Sequence, residues 1–82
     1  MQVHFELYAS LMAYLPQPSS RHRATVEVPD NATPNQLLVT YGVPREQAHL
    51  VCRNGVYVPV EERDRPLSAG DVLAVWPPVA GG

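Results

Sequence analysis

Eighty-two residues, 45% of them apolar, make one domain around one modest core and are too apolar for a disordered chain. The formal net charge of −2 argues against a nucleic-acid binder or a protein that clings to anionic membranes. Cys52 stands alone, which excludes an internal disulfide and a four-thiolate zinc or iron–sulfur site within one chain. It fits a reducing cytoplasm, as does a start without the pattern of a secretory signal. No apolar run approaches membrane-spanning length, so neither membrane nor nucleic acid is expected as a partner.

In chain order, "QVHFELYA" alternates, with Val3, Phe5 and Leu7 on one face and His4 and Glu6 on the other. That is a half-buried strand. "SLMAYLPQP" changes period: Leu11, Tyr14 and Leu15 fall at i, i+3 and i+4, Ser10 is a candidate cap and Pro16 a stop. "QPSSRHR" is a polar loop, and "ATVEVPD" alternates again with Val26 and Val28 inward. These two neighbouring strands should pair antiparallel. In "TPNQLLVTYGVP", Thr33 and Gln36 form a capping box with Pro34 at the first helical position. Leu37, Leu38 and Tyr41 make its buried stripe, Gly42 the left-handed stop, and Pro44 prevents continuation.

"HLVCRNGVYVPV" places Asn54-Gly55 between β-branched runs, the signature of a type I′ hairpin pairing Arg53 with Val56, Cys52 with Tyr57 and Val51 with Val58. "EERDRP" reads as a solvated loop and "LSAGD" as a turn into the last strand, "VLAVW". Leu73 and Val75 share one face of that strand, and Val72, Ala74 and Trp76 the other. The order predicts an α+β fold: a mixed four- to five-stranded sheet packed on one main helix, with the last strand entering beside the first. Residues 1–76 form the domain and 77–82 an extended, flexible tail.

Chemistry is sparse. His4, His22 and His49 sit on three elements without ligand spacing, and no metal site is expected. Cys52 beside Arg53 reads as a small hydrophobe rather than an activated thiol, and Glu61-Glu62 as a solvated turn. Arg21, His22 and Arg23 suit a phosphate, but a polar loop explains them as well. The ending "WPPVAGG" is different. Pro77-Pro78 stiffen the exit, Val79-Ala80 prolong it, and Gly81-Gly82 lack the side chains that would bar a narrow channel. If Val51, Val58, Leu73 and Val75 face the helix, then Trp76, Ala74, Tyr57 and Cys52 form an aromatic-rich docking patch on the opposite face. The alternative is that the faces are reversed and these four are core.

"LSAGDVLAVWPPVAGG" at 67–82 resembles the ending of the MoaD/ThiS family of ubiquitin-like sulfur carriers, which have the β-grasp fold. "RNGVYV" at 53–58 resembles the hairpin before it, and "VHFELYASLMAYL" the opening of the molybdopterin-synthase small subunit. The resemblance implies a carrier rather than an enzyme. An E1-like enzyme of the MoeB/ThiF type would use ATP and Mg²⁺ to adenylate the Gly82 carboxylate. A persulfide sulfur donor would convert it to a thiocarboxylate, and an acceptor such as the molybdopterin-synthase large subunit would take the sulfur. The carrier itself would hold no permanent cofactor. Thiazole, cysteine and tungsten-enzyme pathways are alternatives, as is a protein modifier conjugated through Gly82. All six basic residues are Arg, so the chain offers no lysine to its own activated end.

Overall fold

The computed structural model describes residues 1–79. Its elements are β1 (Gln2–Leu7), β2 (Arg23–Glu27), α1 (Pro34–Thr40), β3 (Leu50–Arg53), β4 (Val56–Tyr57) and β5 (Val72–Trp76). The strands form one sheet in the order β2-β1-β5-β3-β4. β5 runs parallel to β1 and antiparallel to β3, and the outer pairs β1–β2 and β3–β4 are antiparallel. This is the ubiquitin-like β-grasp arrangement, with five strands and one main helix. Among the described residues no helix is long and apolar enough to cross a membrane.

The alternation seen in the sequence becomes two faces. Val3, Phe5, Leu7, Val26, Val28, Val51, Leu73 and Val75 pack with Leu37 and Leu38 of α1 into the core. Tyr41 closes it with a ring 5.3 Å from that of Phe5. The helix is seven residues long, too short to persist alone, and both ends are locked by local chemistry. Thr33 Oγ1 accepts from the Gln36 N–H at 3.2 Å, and Gln36 Oε1 accepts from the Thr33 N–H at 3.0 Å. At the other end Gly42 has φ +76°, where a Cβ would be strained. Val43 N–H then reaches Leu38 C=O at 2.9 Å and Gly42 N–H reaches Val39 C=O at 3.2 Å, the paired bonds of a Schellman stop.

The hairpin turn also has left-handed central residues, with φ +52° at Asn54 and +82° at Gly55. Asn54 does more than turn the chain. Its amide donates to Asp71 Oδ1 at 2.9 Å while its Oδ1 accepts from the Val72 N–H at 2.8 Å. Asp71 Oδ2 accepts from the Ser68 N–H and the Arg53 Nε, each at 2.7 Å. The hairpin is thereby tied to the start of β5.

Two segments differ from expectation. "SLMAYL" forms a 3₁₀ helix over Ala9–Tyr14 that begins after Tyr8, so Ser10 lies inside it and caps nothing. Leu11 and Leu15 are buried, but Tyr14 is exposed, because the chain turns extended at Leu15 and sends that side chain inward instead. "EERDRP" is not wholly solvated. Arg63 is buried and donates to three backbone carbonyls, those of Ala48 (3.0 Å), His49 (3.3 Å) and Val58 (3.3 Å). Those carbonyls stand in for the water that the charge gives up.

Replacing Thr33 with Ala removes one half of the reciprocal cap. Urea unfolding should show a loss of about 1 kcal/mol with an unchanged m-value.

Candidate functional site

The candidate site is the sheet face turned away from α1, together with the strand that leaves it. Register fixes its layout. Arg23, Glu6, Ala74, Cys52 and Tyr57 are direct cross-strand neighbours in one row over all five strands. The next row holds Tyr8, Trp76 and Leu50, since Tyr8 N–H donates to Val75 C=O at 3.1 Å and Leu50 pairs with Trp76.

Trp76 is stacked on Tyr8, with ring centroids 4.5 Å apart and planes within 5°. The His22 ring also packs against Tyr8, with centroids 4.3 Å apart and planes tilted by 30°. The Tyr8 hydroxyl donates to Glu6 Oε1 at 2.8 Å, and Arg23 donates to Glu6 Oε2 at 2.7 Å. Burial alone would raise the pKa of Glu6, but the hydrogen bonds from Tyr8 and Arg23, with the nearby positive charge, hold it below the ordinary value. Burial and the hydrogen bond to Glu6 push the Tyr8 hydroxyl up. Asp71 follows the pattern of Glu6: burial opposes ionisation, and the Ser68 N–H, Asn54 and Arg53 together prevail and lower it.

The backbone of Trp76 is held as firmly as its ring. Its C=O accepts from the His49 N–H at 3.0 Å, and the His49 C=O accepts from buried Arg63. The last rung before the tail therefore rests on the Arg63 clamp. After it, Pro77 is half-buried, Pro78 exposed and Val79 80% exposed.

Of the four residues expected to form a docking patch, Trp76, Tyr57, Cys52 and Ala74 all lie on the face away from the helix. Tyr57 is exposed, and Trp76 and Cys52 are half-buried. Ala74 offers little surface, being only 6% exposed. Its methyl is short, and Glu6 and Cys52 flank it in register. Among the tail residues Pro77, Pro78 and Val79 are described, while Ala80, Gly81 and Gly82 lie outside the described residues. His4 meets Thr25 Oγ1 at 3.0 Å. Among the described residues no group of three or more His, Cys, Asp or Glu side chains is placed to hold a metal ion.

Tyr8 and Leu50 join this face without having been singled out in the sequence, and Glu6, His22 and Arg23 were named there without being assigned to the docking patch. Tyr8 carried a usable signal, since it continues the outward alternation of His4 and Glu6. His22 carried none, because it reaches the sheet from a loop.

The sequence model of the Mut7-C ubiquitin family matches residues 1–81. No curated protein matches the chain significantly. Among solved structures, the chain resembles SAMP1, small archaeal modifier protein 1, of Haloferax volcanii, at 24% identity and TM-score 0.69 over the whole of both chains. It resembles the Haloferax volcanii HVO 2177 protein at 23% identity and TM-score 0.76, over all of this chain and 87% of that one. It also resembles a chain in the complex of subunits 1 and 2 of the molybdopterin-converting factor from Helicobacter pylori. That match has 18% identity and TM-score 0.59 over the whole of both chains.

Two measurements follow from this geometry. Trp76 is the sole tryptophan, so its fluorescence reports on the stack. Tyr8→Ala should shift the emission to the red and increase acrylamide quenching, at a cost of about 1 kcal/mol in stability. The lowered carboxylates set the acid limit. With folded pKa values below the ordinary 4.5 of Glu6 and 3.8 of Asp71, their stabilisation is complete above those values and is lost as pH falls through the folded ones. Urea midpoints should therefore drop on acidification, and Glu6→Gln or Asp71→Asn should each flatten that drop.

Proposed function

The chain belongs to the Mut7-C ubiquitin family, and from that premise we propose that it is a small ubiquitin-like carrier whose working group is the carboxylate of Gly82. The observation that carries this reading is the exit of the chain. The central strand ends at Trp76, which is fixed by Tyr8 and His49, and the next three residues turn progressively outward through two prolines. The six residues from 77 to 82 span at most about 20 Å, enough to enter another protein's active site while the domain stays outside.

In this reading an E1-like enzyme of the MoeB/ThiF type binds the carrier and joins Gly82 to AMP, releasing pyrophosphate. ATP and Mg²⁺ belong to that enzyme. Adenylation is needed because a carboxylate is a poor electrophile and AMP is a good leaving group. With hydrosulfide the exchange balances directly: a C–S bond forms, the C–O bond to AMP breaks, and a thiocarboxylate results. With a persulfide donor an acyl disulfide forms first, and a second thiol must reduce it. An acceptor enzyme then takes the sulfur, and the likeness to the molybdopterin-converting-factor chain favours an acceptor of the synthase large-subunit kind. The carrier contributes a docking face of Trp76, Tyr57 and Cys52 and no catalytic group. It works where its cytoplasmic partners are.

A second reading is favoured by the likeness to SAMP1: a modifier joined through Gly82 to amines of other proteins. Activation is shared and the product differs. The intact mass of the purified protein first establishes that Gly82 carries a free carboxylate. Incubation with the activating enzyme, ATP and sulfide should then exchange one oxygen for sulfur. Larger covalent adducts in place of that exchange would select the modifier. Removal of Gly81 and Gly82 should abolish either product while leaving the unfolding curve unchanged, and a product that survived this removal would overturn both readings.

A further inference from the structure

A groove among the described residues lies away from the face described above. It has a volume of about 550 Å³ and lies on the helix side, between the end of β2 and α1. Val28, Pro29 and Ala32 line one side of it, and Leu37, Val39 and Thr40 the other. Val39 is 76% exposed on the outer flank of the helix, beside exposed Gln36 and Thr40.

The groove opens beside a free sheet edge. β2 is the terminal strand. In its ladder with β1, Leu7 N–H donates to His22 C=O and Val28 N–H donates to Met1 C=O, both at 2.9 Å. Antiparallel pairs alternate, so the backbone groups of Ala24 and Val26 also face β1, and those of Thr25 and Glu27 face outward. Arg23 points outward too, but Ser20 pairs with it in both directions, at 2.8 and 3.0 Å. Thr25 and Glu27 are left as two donors and two acceptors at strand spacing. Only an extended backbone matches that pattern.

We propose that this edge and groove form a docking site for an extended segment of another protein, added antiparallel to β2 as a sixth strand. Its inward residues are apolar and fill the groove over Val28, Leu37 and Val39. Charge gives the direction. Glu27 and Asp30 lie exposed at one end of the edge and outnumber the Met1 ammonium between them. Arg21 is exposed at the other end. An antiparallel segment with a basic residue at its start and an acidic one at its finish meets both. A second copy of this chain fits less well. Its β2 would offer Ala24, Val26 and Val28 inward, and these are already buried in its own core, leaving the groove empty. The site does not involve Gly82, so it stands or falls independently of the carrier reading.

The test is a titration of the ¹⁵N-labelled full chain with the acetylated and amidated peptide Lys-Val-Thr-Ile-Thr-Val-Asp, whose second, fourth and sixth residues face the groove. Amide shifts should centre on Thr25, Glu27, Val28, Ala32, Leu37 and Val39, with slowed hydrogen exchange at Thr25 and Glu27. N-methylation of alternate peptide residues should matter in one phase only, weakening binding roughly tenfold or more when the methylated nitrogens face the edge. Val39→Glu, at an exposed position outside the core, should also weaken binding roughly tenfold while leaving the fold intact. The proposal is overturned by an absence of shifts at about 1 mM peptide, by shifts centred on Trp76 and Tyr57, or by equal affinity of both methylated peptides. Sedimentation showing self-association, with hydrogen exchange at Thr25 and Glu27 slowed by protein concentration alone, would assign the edge to a second copy and overturn it as well.

Discussion

The pairing of β5 with both β1 and β3 is the constraint on which the rest of this structure depends. Without it the molecule is two hairpins, β1–β2 and β3–β4, that share no strand. A parallel neighbour requires a long crossover, and here the crossover between β1 and β5 is nearly the whole chain, including α1. The strand made last therefore occupies the centre of the sheet. Its continuation is the tail, so the segment that leaves the domain is anchored by two flanking strands rather than hanging from an edge. An unfolded or half-folded chain has no such anchorage. Correct presentation of the tail is in this way coupled to completion of the core.

Polar groups secure both ends of that central strand. At its start Asp71 gathers Ser68, Arg53 and Asn54, and Asn54 takes the first N–H of the strand. At its finish Arg63 holds the His49 carbonyl, and the His49 N–H holds Trp76. These interactions act less as sources of net stability than as fasteners of register, since partly buried charges give back much of their attraction in desolvation. A slip of one residue in β5 would exchange Trp76 with Val75 between the two faces and dismantle the Tyr8 stack and the core together.

What was legible in the sequence follows the range of the interactions. The capping box of Thr33 and Gln36, the Gly42 stop and the Asn54-Gly55 turn are each written in four to six adjacent residues, and the structure has all three. The alternation of β1, β2 and β5 was equally local, and it placed Val3, Phe5, Leu7, Leu73 and Val75 in the core. Arg63 was not legible, because its partners are carbonyls of a loop some fifteen residues earlier and of β4's exit. A charged residue in "EERDRP" looks solvated until those carbonyls are in place. Ala74 was legible in parity but not in exposure, since its cover comes from β1 and β3. His22 and Tyr8 meet only because the loop after the 3₁₀ helix returns beside β1. Which strand ends the sheet, and hence which backbone edge is free, is a property of topology that no local pattern encodes.

The positions of the two surfaces bear on how they can be used together. β2 is separated from β5 by β1 alone, so the free edge lies about 10 Å from the strand that carries the tail. The groove beside it faces the helix side, while the Tyr8–Trp76 row faces the other. A strand bound along β2 would extend the sheet without covering Trp76, Tyr57 or the exit at Pro77. Two partners can thus contact one small domain at once, one along its edge and one over its opposite face. A domain of this size holds one core, and the backbone edge and the sheet face are two separate surfaces around it.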